Sequence, residues 1–329
     1  MAISIGLIGY GNWAKEAYVP AILHHDNIKI AAVAALSDTT KGLAKEHFGN
    51  DVKLFSNPCE LIAQDEIDAV MIGLPSELIA DVGIVALKAG KHVWMEPCPP
   101  GDNRLVKLFQ LNTRPTQVCH TDLELRYIPV ISTVKKLIAE TIGSPLSVRI
   151  VLDCDWGRTW PEDMVKGGGM ASGLSIWYLD AIDAIFNQWP DSIYVSGARP
   201  RFELAIEMGV ALLKFGNATG EWSFNFHSLG EFSLQLEIAA TNGEAQADLV
   251  TGKYRYRSQS SKWVHGTTTP TQPLYGFAGM RECADAFIRA IKTTGTTLTR
   301  PEVVKRVHAT ASGFDNSVKS GMPALIKQL

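Results

Sequence analysis

Two groups of residues in this chain have types and spacing that could do chemistry. The first is the run Ile3-Ser4-Ile5-Gly6-Leu7-Ile8 and the Gly9-Tyr10-Gly11-Asn12-Trp13-Ala14 that follows it. Gly9 and Gly11 allow a tight turn and let backbone approach a ligand where any Cβ would intrude. A helix following that turn would present its first N–H groups and positive dipole end to an anion. The pattern is that of a dinucleotide pyrophosphate site, with Ala14 where a third glycine often stands. It follows a strand-like run and opens a βαβ pattern, so Gly9, Tyr10, Gly11, Asn12 and Trp13 are expected to hold the cofactor. The second is His120, at the end of the short strand-like run 116–120. That is the carboxyl edge of the sheet, where open α/β sheets bind ligands. Histidine titrates near neutrality and could move a proton there; a hydrogen-bonded structural histidine is the alternative.

The elements that must position these groups alternate in the first part of the chain. Strands are expected over 3–8, 28–36, 68–74, 92–96 and 116–120. Helices are expected over 14–24, bent or ended near Pro20, over 39–48, closed by Gly49, and over 77–88, capped by Ser76 and stopped at Gly90. Runs such as Ala69-Val70-Met71-Ile72 are apolar throughout, as strands buried on both faces should be. Repeated β-α-β units imply a doubly wound parallel sheet. The pattern changes near residue 122. A helix over 126–140 precedes strand-like runs at 146–152, 193–197, 208–215, 220–226, 232–240 and 244–250, with Asn242-Gly243 as a hairpin turn. A helix over 171–186 interrupts them. Residues 258–276 read as a long loop, and helices follow over 280–292 and 301–316. The fold class expected is α/β: a doubly wound dinucleotide-binding domain over 1–122, then an α+β domain on an open, mainly antiparallel sheet over 123–329.

The order of these landmarks resembles the Gfo/Idh/MocA family of NAD(P)-dependent oxidoreductases along nearly the whole chain. The resemblance is carried by Gly9-Tyr10-Gly11, by Ala89-Gly90-Lys91-His92-Val93 before Glu96, and by Gly167-Gly168-Gly169 leading into a helix ending Trp177-Tyr178-Leu179-Asp180. It implies a Rossmann domain followed by an open sheet, with the active site between them. It also implies that the sheet's outer face makes a homodimer or homotetramer. Leu74-Pro75 matches a Thr-Pro turn beside the cofactor, and Glu96 is implied to contact the nicotinamide ribose. Two departures bear on the chemistry. Pro97 stands where the family has a lysine that handles the proton and positions the cofactor. Gly173 and Trp177 stand for the aspartate and histidine of the second signature, while Tyr178 and Asp180 match.

Hydride transfer needs no side chain as reactant, but the accompanying proton does, and a positioned acid or base contributes roughly 10²–10⁴ in rate. With Pro97 and Trp177 in place, His120, Tyr178 and Asp180 are the first candidates to move it, with Tyr127, Asp153 and Asp155 behind them. Alternatively the substrate is an imine or conjugated system that needs no acid, and Trp156, Trp160 and Trp177 line its site. In a third reading a dinucleotide binds without turnover. Cys98 has no cationic neighbour in sequence to activate it.

The cofactor expected is NADP or NAD. No acid stands at the end of the second strand, where Ala35 and Leu36 precede Ser37, and Ser37 could take a 2′-phosphate, so NADP is favoured slightly. A net charge of −3 gives no basic excess for nucleic acid or an anionic membrane, so the expected partner is a small-molecule substrate. The five cysteines have no metal-ligand spacing, no metal is expected, and reduced thiols in a cytoplasm are the expectation. No signal peptide or membrane-spanning run is read.

Overall fold

A computed structural model of the chain describes residues 2–102, 104–111, 116–159, 169–199, 205–259, 261–269 and 278–327. The chain divides into two compact units, Met1–Leu123 with Met280–Lys305, and Glu124–Gly279 with Arg306–Leu329. The segment 280–305 therefore belongs to the first unit, which a single cut at 122 leaves in the second.

The first unit carries β1 (Ile3–Ile8), β2 (Ile28–Ala34), β3 (Lys53–Phe55), β4 (Ala69–Ile72), β5 (His92–Met95) and β6 (Cys119–Thr121). They form one parallel sheet in the order β3-β2-β1-β4-β5-β6. The winding runs outward from β1 in one direction and from β4 in the other. The switch point, where such sheets bind ligands, lies at the carboxyl ends of β1 and β4. Every residue of β1 and β4 is buried, as the unbroken apolar runs require.

Five helices connect these strands: α1 (Val19–Ile22), α2 (Asp38–Phe48), α3 (Pro58–Ile62), α4 (Ser76–Lys88) and α5 (Arg104–Gln110). Pro20 does not break the first: a π-helical turn, Ala14–Tyr18, runs into α1 and puts Pro20 in its first turn, where a missing N–H is tolerated. Ser37 caps α2, accepting from the Thr40 N–H, and Gly49 ends it at φ +88°. The N-cap of α4 is Pro75, with Ser76 its first helical residue, so Ser76 is not the cap. The helix Met280–Thr293 packs in this unit, its Phe287 ring edge-on to Trp94 of β5 at 5.5 Å between centroids.

The second unit carries α6 (Pro129–Leu137), preceded by a 3₁₀ turn, Glu124–Tyr127, and continued by a π-helical turn, Ile138–Ile142, that ends at Gly143. Then come β7 (Pro145–Asp153), α7 (Trp156–Thr159), α8 (Met170–Phe186), β8 (Ser192–Ala198), β9 (Met208–Phe215), β10 (Ala218–Asn225), β11 (Ser233–Ala240), β12 (Gly243–Asp248), β13 (Lys253–Ser258) and β14 (Val264–Thr267). With the helix Met280–Thr293 numbered α9, α10 (Pro301–Ser320) and β15 (Ala324–Leu325) complete the chain. The sheet order is β14-β13-β12-β11-β7-β10-β9-β8-β15, antiparallel except where β7 runs parallel to β10. Buried and half-exposed residues alternate along β10 and β11, so one face meets a core. That core includes Trp222, Phe224 and Phe226, with α8 packed over β7 and β10.

Two expectations change here. The stretch 258–276 is not simply a loop, since β14 within it pairs antiparallel with β13. The β11–β12 register pairs Ala240 with Gly243, so the turn is Thr241-Asn242, one residue earlier than Asn242-Gly243.

Candidate functional site

The glycine turn sits at the carboxyl end of β1. Gly9 has φ +88°, and a Cβ there would lie 2.1 Å from the Gly73 carbonyl oxygen at the end of β4, so both backbone and packing demand glycine. Gly11 differs. Its φ is not in the left-handed region, and a Cβ there would meet nothing within 4 Å. The chain itself does not require glycine at 11; an anion lying against the backbone would. Asn12 is exposed and opens the helical segment, whose first turn directs N–H groups outward. The residues present therefore fit a dinucleotide pyrophosphate.

Tyr10 contributes backbone to the turn, while its buried side chain packs against Phe48 and hydrogen-bonds His47 of α2. Leu74 and exposed Pro75 follow β4, beside Gly9. Ser37, at the end of β2, is already engaged as the α2 cap, and Lys41 pairs with Asp38 at 2.8 Å and donates to Ser56. Leu36 beside it is 91% exposed.

At the end of β5, Glu96 is half-buried and Pro97 buried. The Glu96 carboxylate accepts from the Trp13 indole N–H at 2.6 Å and from the Tyr18 hydroxyl. Asp122, which follows β6, is a neighbour whose electrostatics act on the same carboxyl group. Burial pushes the Glu96 pKa up, against the pull of these hydrogen bonds. Burial, and then the neighbouring Glu96 and Asp122 charges, push the Tyr18 phenol well above its ordinary value. Four groups that sequence reasoning did not single out as a set, Trp13, Tyr18, Glu96 and Asp122, thus converge at the carboxyl edge. The rule that pointed to this edge could have found Asp122, two residues beyond His120 in the same strand ending.

His120 itself points into the core. It is fully buried, between the rings of Trp94 and Phe287, and both ring nitrogens have partners, Cys283 Sγ at 3.1 Å and Thr299 Oγ1 at 3.1 Å. Burial drives its pKa down to about 3, so the ring is neutral at pH 7. It has no exposed atom with which to meet a substrate directly, contrary to the expectation from sequence.

Tyr178 and Asp180 are also enclosed. Tyr178 stacks on Trp222 at 4.9 Å and 6° between planes, and burial raises its phenol well above the usual range. Asp180 is fully buried and bound by the Arg126 guanidinium through both carboxylate oxygens. Arg126 also reaches Asp183, which Arg306 binds in turn. Burial pushes Asp180 up to about 6, and Arg126 pulls against that shift. These two positions build the core of the second unit rather than a reactive surface. The outward stripe of α8 is instead Gly173, Leu174 and Trp177: exposed, half-buried and half-buried. The two altered signature positions thus lie one turn apart on the helix face that is open.

Of the other candidates, Trp156 is buried against Phe226 and Phe232, and Trp160, Gly167 and Gly168 lie outside the described residues. Arg158, close to Asp153 and Asp155 in sequence, donates to the His227 and Ser228 carbonyls. Cys98 is buried, which pushes its thiol up to about 12 and leaves it un-ionised. One group of metal-ligand type occurs among the described residues, His24, His25 and Asp285 on the first unit, with ligand atoms within 4.8 Å of one another. No helix among the described residues is long and apolar enough to cross a membrane.

Comparison with known proteins agrees with this architecture. Residues 3–98 match the oxidoreductase family, NAD-binding Rossmann fold (GFO_IDH_MocA), and residues 131–246 match the GFO/IDH/MocA C-terminal domain. An uncharacterized oxidoreductase of Synechocystis is 26% identical over 196 residues, and another of Rhizobium meliloti is 26% identical over 206. These matches cover 56% and 61% of this chain but only 51% and 61% of the relatives' own length. Among solved structures, levoglucosan dehydrogenase in complex with NADH and levoglucosan superposes with a TM-score of 0.83 at 19% identity, covering all of both chains. Apo scyllo-inositol dehydrogenase from Lactobacillus casei gives 0.83 at 18%, covering 99% of this chain and 98% of that one. At these identities the structural likeness concerns the fold.

Proposed function

The chain belongs to the Gfo/Idh/MocA family of NAD-binding oxidoreductases, and from that premise we propose that it transfers hydride between a nicotinamide dinucleotide and a small polyol- or sugar-derived substrate. The single observation that carries this reading is Gly11, a glycine at the switch point that the protein's own packing does not require. Gly9, Gly11, Asn12 and Trp13 would hold the pyrophosphate, and Leu74, Pro75 and Glu96 would flank the rest. When bound, the nicotinamide supplies or accepts the hydride. The chain's part is to orient the substrate and hold the proton. The sugar and inositol specificity named for the structural neighbours supports the substrate class.

A second reading is supported by the replaced side chains themselves. Pro97 in the first unit, and Gly173 and Trp177 on α8 in the second, stand for the usual proton-handling groups, so a dinucleotide-binding protein without turnover is the competing function. The cofactor preferred is NADP(H), because no acid at Ala35 or Leu36 would repel a 2′-phosphate and Ser37 stands beside it.

The test is titration with NADH and NADPH, followed by turnover on a panel of polyols, ketoses and cyclic imines. We expect binding of both cofactors, tighter for NADPH, and its loss in Gly11→Val. Unchanged affinity in that variant would overturn the pyrophosphate assignment. Binding with no turnover on the panel would favour the silent module.

A further inference from the structure

The first unit gathers three side chains of metal-ligand type from distant parts of the chain. His24 and His25 lie in the turn between α1 and β2, and Asp285 lies on α9, 261 positions after His24. α1 packs on α9 within this unit, which brings the three together. The turn stands at the amino edge of the sheet, where the Ile3 N–H of β1 donates to the Asn27 carbonyl. It is therefore at the opposite edge from the glycine turn. No spacing rule announces such a group, because its third member is folded in from far along the sequence.

The three groups converge. Asp285 Oδ1 lies 2.8 Å from His24 Nε2 and 3.0 Å from His25 Nε2. The two rings are 4.1 Å apart between centroids and tilted by 36°. His24 is aligned to hydrogen-bond the carboxylate. His25 Nε2 is buried and, close as it is, makes no aligned hydrogen bond to a partner among the described residues. A ring nitrogen's lone pair lies in the direction its N–H would take, so this nitrogen aims past the oxygen rather than at it. Zinc bonds of about 2.0–2.1 Å at tetrahedral angles set ligand atoms about 3.3 Å apart. The Asp285 oxygen and the two nitrogens need to part by only a few tenths of an ångström to admit such an ion between them. The side chains are 25%, 22% and 33% exposed, so water can reach a fourth position. Glu282, one turn before Asp285 on α9, adds a second acidic group with a buried Oε2 that has no hydrogen-bond partner among the described residues.

We propose that His24 Nε2, His25 Nε2 and Asp285 Oδ1 bind a divalent transition-metal ion of the zinc class, with water as a further ligand, and that the ion fastens α9 to the turn after α1. Two imidazoles and a carboxylate are a donor set that suits zinc. Each ring binds as the neutral tautomer, its proton on Nδ1 and its Nε2 lone pair on the ion. The unfolded chain has no such preformed site, so binding stabilises the folded state by mass action. Because the site stands at the amino edge, the ion takes no part in hydride transfer, and the inference does not depend on that reading.

The test uses the full chain, freed of metal with a chelator and titrated with zinc chloride by calorimetry and with cobalt(II) by visible absorption. Wild type should take up one equivalent of zinc. Its cobalt form should show the visible bands of a low-coordinate ion and no thiolate charge-transfer band, since no cysteine takes part. Groups that merely support a ligand are worth roughly 10–100-fold in metal affinity, so His25→Ala and Asp285→Asn should each lose at least about 100-fold. Zinc should raise the Tm of wild type and leave that of both variants in place. Circular dichroism of the metal-free variants checks that they fold, and His24→Gln stands in for either one that does not. Absence of saturable zinc uptake by wild type would overturn the proposal. So would uptake and a Tm rise that persist unchanged in the variants, the mark of an adventitious ion only. A lower metal-free Tm in the variants, with zinc leaving wild type unmoved, would also overturn it and leave a purely hydrogen-bonded cluster.

Discussion

Among the described residues each unit buries an extended polar network, and the two are built on opposite principles. The network of the second unit is ionic and closed: Arg126, Asp180, Asp183 and Arg306 pair two cations with two anions, and each charge faces its complement. The network of the first unit has a neutral middle, His120, Cys283, Thr299 and Thr297, and is open at both ends. Burial is equally deep in both, so burial alone does not tell the two apart. What separates them is closure. Balanced charges in low dielectric lock a geometry and resist rearrangement. A neutral row of rotatable donors costs little to hold and little to reverse.

The largest effect should come from opening the closed network. Arg126→Ala leaves Asp180 fully buried and Asp183 with Arg306 alone. Removing one partner of a buried pair costs about 3–5 kcal/mol, and Arg126 serves two carboxylates, so the upper end is expected. Urea denaturation would read this, and a loss below about 1 kcal/mol would mean the network is looser than its geometry.

Acid should distinguish the two networks next. His120 is held at about 3 by burial, against 6.5 for the free side chain. Between those values the unfolded chain binds the extra proton. Stability is therefore whole above the upper value and falls as pH falls through the window, by roughly 4–5 kcal/mol once below the lower. Asp180 acts with the opposite sign. Its pKa is raised from 3.8 to about 6, so the folded state binds more protons in that range and stability falls as pH rises through it. Denaturation between pH 3.5 and 7.5 should show a net acid loss. His120→Gln should flatten that loss at some cost near neutrality, and Asp180→Asn should steepen it. An unchanged acid limb in His120→Gln would place the titration elsewhere.

Much of the scaffold was legible because its signals are local. The unbroken apolar runs of β1, β2 and β4 read as strands buried on both faces, and Ser37 and Gly49 bracket α2 as cap residues should. The strand Lys53–Phe55, the short helices α3 and α5, and β13, with its alternating charges on an open sheet face, carry no such pattern. The candidate site was legible at Gly9, whose constraint is the backbone itself, and at Gly11 through its spacing from Gly9. It was not legible at His120. That residue's fate is set by Cys283, Phe287 and Thr299, more than 160 positions away, on a segment that folds into the first unit. Strand alternation puts His120 and Asp122 on one side of Thr121, and both reach Cys283 Sγ, a partner that the local pattern of β6 does not announce. Positions 173 and 177 fall on the part of α8 that is exposed or half-buried, while Tyr178 and Asp180, which match the family's signature, are buried on the same helix.

The smallest effect sharpens the comparison on that helix. Tyr178 and Asp180 are two residues apart on α8 and equally enclosed, yet Tyr178 is held by stacking rather than by charge. Tyr178→Phe keeps the ring, its area and its contact with Trp222, and removes only the hydroxyl. Net hydrogen bonds contribute about 1 kcal/mol, so the expected loss is at or below that, with the pH profile of turnover unchanged. Had the phenol been the proton donor, the variant would instead lower kcat by roughly 10²–10⁴ while leaving stability alone. Because stability and rate are predicted to move in opposite patterns under the two roles, one variant measured both ways decides whether the Tyr178 phenol takes part in the chemistry.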